Sequence, residues 1–72
     1  MRRKTGISQD QIAIIRAMAE NDLNGTKAAK ATHYGKTTLF YHLNEITRKT
    51  GLNPRKFYDT VELLRKIDNN EF

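Results

Sequence analysis

The tightest constraint on this sequence is its punctuation: helix-starting and helix-stopping residues recur so closely that every regular segment between them is short. Ile7-Ser8-Gln9-Asp10-Gln11-Ile12 sets Ser8 as an N-cap, Gln11 as its reciprocal partner, and Ile7 with Ile12 as a hydrophobic staple. A first helix over about residues 9–20 follows, with Ile12, Ile15, Met18 and Ala19 on its core-facing side. Asn21-Asp22-Leu23-Asn24-Gly25 breaks that pattern. Thr26 is placed to cap a two-turn helix over 26–32, with Ala28 and Ala29 inward. Leu39, Leu43 and Ile46 then recur at four and three residues and predict a third helix over 37–49, ended by Gly51 as a C-terminal cap. In Leu52-Asn53-Pro54, Asn53 reads as a cap, Pro54 as the first helical residue and Leu52 as the staple partner of Phe57. That start predicts a fourth helix over 54–67 with Phe57, Val61, Leu64 and Ile67 in one stripe. No segment reads as a strand or a repeat. The expected fold is all-α: a small four-helix domain over residues 8–68, preceded by a basic N-terminal arm over 1–7.

Seventy-two residues allow one small core and leave no room for a separate sensory module, so no small-molecule effector is expected. Without cysteine there is neither a disulfide scaffold nor a zinc site of the usual kind. His33 and His42, with eight residues between them, have no further ligands at a familiar spacing; no metal or cofactor is expected. Gly35-Lys36-Thr37-Thr38 looks like the end of a nucleotide-binding P-loop, but such a loop needs a glycine where Lys30 stands. It also needs a buried strand before it, where this chain carries an alanine- and lysine-rich helical segment. No carboxylate pair or nucleophile–base set occurs at usable spacing, so an enzyme is not expected. The N-terminal region carries Asp10, Gln11 and Arg16 where a signal peptide or membrane span would be unbroken and apolar. No membrane association is expected, and the place of action is read as the cytoplasm of a bacterial or phage-infected cell.

Charge is distributed in blocks. Residues 1–7 carry +3, 8–23 carry −2, 24–56 carry +6 and 57–72 carry −2. A basic middle flanked by acidic segments is the footprint of a surface that meets a polyanion. Within it lie two short helices joined by a glycine-containing turn, the arrangement of a helix-turn-helix unit. Tyr34 is placed to plug the turn, Ala29 allows the helices to cross closely, Gly35 supplies an unusual backbone conformation, and His33 tolerates positive φ. On a wheel of about 100° per residue, Thr37, Tyr41, Asn44 and Arg48 fall opposite Leu39, Leu43 and Ile46. This outward stripe combines hydroxyl, phenol, amide and guanidinium groups able to bond base edges or phosphates.

The expected DNA-binding set is Lys36, Thr37, Thr38, Tyr41, Asn44 and Arg48 on the third helix, Thr26 and Lys27 on the second, and Arg2, Arg3 and Lys4 in the arm. The arm reads equally as a minor-groove contact or a solubilising start. Arg55 and Lys56, at the start of the fourth helix, read as solvated helix surface ahead of phosphate clamps. Phe40 is expected to pack against the fourth helix or a partner subunit.

The run Ala28 to Asn53, AAKATHYGKTTLFYHLNEITRKTGLN, resembles the C-terminal helix-turn-helix of PucR/CdaR regulators and, more distantly, that of the nucleoid protein Fis. The shared scheme is paired small residues, an apolar residue in the turn, Thr38-Leu39, three residues, Leu43, and Gly51-Leu52 after the helix. Thr32 departs from it where a larger apolar residue is usual, His33 where Fis-like units prefer glycine, and Phe40 where they carry a basic side chain. The resemblance implies a sequence-specific double-stranded DNA-binding regulator. By analogy its size points to the phage or mobile-element type. A DNA architectural, packaging or recombination factor and a protein-binding inhibitor on the same scaffold stay open as alternatives. One such unit reads only a few base pairs, so a homodimer is expected, with the fourth helix as the first candidate interface, its Phe57, Val61 and Leu64 divided between core and contact, and the first helix as the second candidate.

Overall fold

The computed structural model describes residues 6–71. Its elements, in order, are α1 (Gln9–Glu20), α2 (Gly25–Thr32), α3 (Lys36–Thr50) and α4 (Phe57–Asp68), with no strand among the described residues. The all-α expectation holds, and the first three helices lie within two residues of their expected bounds.

Helix α1 starts as its sequence dictates. Ser8 Oγ accepts from Gln11 N at 3.1 Å, and Gln11 Oε1 accepts from Ser8 N at 3.3 Å, which completes the capping box. The helix is the hub of the fold, packed against α2, α3 and α4. Because neighbours surround it on several sides, it buries a wide arc: Gln11, Ile14, Ile15, Ala17 and Met18. The expected face was narrower and partly misplaced, since Ala19 is exposed and Ile12 only half-buried.

The α1–α2 connection folds back through two left-handed residues, Asp22 and Leu23. Leu23 N donates to Met18 O at 2.7 Å, closing the end of α1, while its side chain packs against the core. The cap of α2 is Asn24, whose side chain accepts from Lys27 N at 3.1 Å, and not Thr26, which lies exposed inside the helix. A side-chain amide that reaches Lys27 from three residues earlier lets the helix begin at Gly25.

Six fully buried side chains from α1 and α3, Ile14, Ile15, Met18, Leu39, Leu43 and Ile46, form the core with Ala28 and Leu63. Burying each large aliphatic side chain contributes about 1.5–3 kcal/mol relative to leaving it exposed. Gly51 ends α3 at φ 76°, as read from the sequence. Gln11 adds a polar tie across the core edge, with Nε2 3.3 Å from His42 Nδ1. His42 in turn lies 5.7 Å from Tyr34 between ring centroids, so it serves the structure of the turn.

Helix α4 departs most from expectation. Asn53 to Lys56 form a separate turn, in which Lys56 N donates to Asn53 O and Arg55 N to Asn53 Oδ1, each at 2.9 Å. Asp59 Oδ2 takes the Asn53 N–H at 3.0 Å, and Thr60 Oγ1 donates to the Pro54 carbonyl at 2.9 Å. These bonds hold the turn apart from the helix, so Lys56 is the N-cap and Pro54 is buried outside it. The helix then presents Thr60 and Leu63 to α1, with Leu64 and Ile67 at the margin. Phe57, 64% exposed, makes no staple, and Val61 is 47% exposed.

Candidate nucleic-acid interface

The turn between α2 and α3 is built by a left-handed residue. His33 closes α2 at φ 65°, with its N–H donating to Lys30 O. Gly35 instead has φ −70° and ψ 157°, a conformation open to any residue, and a Cβ there would meet nothing within 4 Å. The expectation that Gly35 supplies an unusual conformation is therefore corrected; the role falls to His33. Tyr34 packs against the core as the plug of the turn. Thr32 fits its half-buried site because its hydroxyl donates to Ala28 O at 2.8 Å.

Gly35 provides no side-chain cap to α3, so the first-turn amides and the positive end of the helix dipole face outward beside Lys36, Thr37 and Thr38. Thr26, Lys30, His33, Gly35 and Lys36 line one open depression at this end. Among the described residues, Lys27, Lys30, Lys36, Arg55 and Lys56 have no carboxylate within ion-pair distance. Arg65 and Lys66 of α4, by contrast, are paired with Glu62 and Glu71. Among the described residues, the unpaired cations thus belong to the basic middle of the chain.

The outward stripe of α3 takes the expected form, with Thr37, Tyr41, Asn44 and Arg48 all exposed. Arg48 Nη2 pairs with Glu45 Oε1 at 2.5 Å. The hydrogen bond from Arg48 holds the Glu45 carboxyl below the ordinary carboxylate range, and Glu45 raises Arg48 in turn. Arg48 is exposed and Glu45 half-buried, so the pair sits at the surface and contributes little. Arg2, Arg3 and Lys4 lie outside the described residues; at residue 6, the Gly6 carbonyl accepts from Lys49 Nζ at 3.1 Å, near the C-terminal end of α3.

Two side chains acquire positions that spacing did not suggest. Phe40 lies against Gly25 at the start of α2, where a Cβ would come within 2.6 Å of its Cε1, and not against α4. Arg55 projects back over α3, its guanidinium 5.6 Å from the Phe40 ring centroid and its Nη2 donating to Asn44 Oδ1 at 3.3 Å. Arg55 therefore belongs with the α3 surface, although the sequence reading assigned it to a solvated helix. Its i+2 place in a turn that competes with a helix start carries no signal of that reach. Phe57, Val61 and Leu64 line a different concavity with Ala19, Leu23 and Thr60, between α4 and the end of α1.

A short pair of helices crossing at small residues, joined by a left-handed turn, with an uncapped second helix bearing a polar basic face, defines a helix-turn-helix domain. The family model described as the PucR C-terminal helix-turn-helix domain matches residues 11–65, and the chain belongs to that family of DNA-binding domains. No curated protein and no solved structure matches it. Among the described residues no helix is long and apolar enough to cross a membrane, and no group of three or more potential ligands is placed to hold a metal ion.

Proposed function

We propose that this chain is a sequence-specific double-stranded DNA-binding regulator that reads the major groove with α3. The observation carrying this reading is the stripe of Thr37, Tyr41, Asn44 and Arg48. It is exposed along one helix face, committed to no part of the core, and runs from the uncapped start of α3 beside Lys36 to its last turn. Lys36, Thr37 and Thr38 bind phosphate with side chains and helix amides, Lys27 and Thr26 add backbone contacts from α2, and Tyr41, Asn44 and Arg48 face base edges. Arg2, Arg3 and Lys4 extend the contact as an arm. The test is selection from random duplexes, followed by competition with single-stranded DNA and RNA. The expected result is one enriched duplex motif that neither competitor displaces. Tight binding with no enriched motif would instead fit an architectural role.

The regulator acts as a two-fold homodimer on paired half-sites about one DNA turn apart. Support comes from the edge of α4, where Phe57 and Val61 stand exposed beside a groove and Tyr58 is 82% exposed next to them. Sedimentation at micromolar concentration, with and without a palindromic duplex, checks it. A chain that stays monomeric and binds one copy per site rejects the dimer without touching the reading of α3.

A further inference from the structure

Asn44 is a side chain whose reading of DNA depends on which end of its amide faces outward, because the oxygen only accepts and the nitrogen only donates. In this protein a neighbour decides the matter. Arg55 carries donors only, so its 3.3 Å bond to Asn44 requires the amide oxygen on its side. The guanidinium is itself held. The backbone N–H of Arg55 is fixed on Asn53 Oδ1, Pro54 before it is buried, and the guanidinium carbon lies over the Phe40 ring at 5.6 Å from its centroid. Phe40 and Asn44 stand four residues apart on α3 and so share a face. The ring is seated on Gly25, where any side chain would displace it.

We infer that Arg55 is a positioning residue for base readout: set over the face of Phe40 and bonded to Asn44, it fixes the amide with its NH2 group outward. Asn44 then reads a base that offers an acceptor in the major groove. Guanine, adenine and thymine each do, through N7, O6 or O4, whereas cytosine offers only its N4 donor. The specificity is rejection of cytosine on the contacted strand. Without Arg55 the amide turns freely, pairs with donor or acceptor alike, and that rejection fades. The inference rests on α3 being the reading helix.

Motif selection with the full chain, its Asn44→Ala, Arg55→Ala and Phe40→Leu variants and the double variant Asn44→Ala/Arg55→Ala tests it. One motif position should lose its preference in Asn44→Ala, and wild type should disfavour cytosine there by about tenfold. Arg55→Ala should accept cytosine at that position alone, Phe40→Leu should move the same way by less, and the double variant should match Asn44→Ala there. Cytosine preferred by wild type at that position, no position depending on Asn44, or an Arg55→Ala loss spread evenly over all sequences with rejection intact would each overturn the inference. The last of these makes Arg55 a phosphate clamp. Enrichment of no motif by wild type would instead sink the reading of α3 itself, a distinguishable failure.

Discussion

The α2–turn–α3 half of the domain and its α4 half both open on recognisable sequence signals, yet only the first folds closely along the lines those signals draw. In the first, each determinant acts within three or four residues, so that even the cap that moves from Thr26 to Asn24 shifts the helix start by one residue: Asn24 holds Lys27, His33 holds Lys30, Gly51 holds Thr47. Leu39, Leu43 and Ile46 are then enclosed without remainder. In the second, Asn53 and Pro54 have rival partners a turn further on, Asp59 and Thr60, which bind the turn before it can become a helix. The apolar stripe survives but rotates, so that Leu63 enters the core while Phe57 and Val61 remain outside. A cap is decided locally; the face that a stripe buries is decided by what it lies against.

The comparison is most strongly tested by core truncation. Leu43→Ala should destabilise the domain by about 2–5 kcal/mol in denaturant unfolding, whereas Val61→Ala should cost well under about 1 kcal/mol. Equal costs would mean that α4 buries its Phe57–Val61 edge after all. At the next level, Asn24→Ala should cost about 1 kcal/mol as the loss of an N-cap, and Thr26→Ala much less; a reversed order would return the cap to Thr26. The smallest effects belong to the cations. Lys36→Ala and Lys27→Ala should each reduce the slope of log K against log salt by about one, with folding unaffected. A pair of unchanged slopes would remove both from the phosphate contacts.

Much of the fold was legible because its determinants are short in range: the Ser8–Gln11 box, the left-handed His33, the Gly51 stop and the 39–43–46 spacing. The candidate stripe of α3 was legible for the same reason, as a helical face is fixed once the helix is. What spacing did not reveal depends on contacts across the fold. Gln11 completes a cap and also reaches His42, thirty-one residues away. Ile14 is buried because α1 has neighbours on more than one side. Arg55 reaches Asn44 only because a turn, and not a helix, precedes α4.

The central claim is that α3 reads sequence rather than only gripping the DNA backbone. Its most direct test is the affinity of wild type, Tyr41→Ala and Asn44→Ala for a selected duplex and for a random one, at one salt concentration and with folding verified. Each variant should lose about 1–3 kcal/mol on the selected duplex and little on the random one. Equal losses on both duplexes, or no loss on either, would contradict the claim.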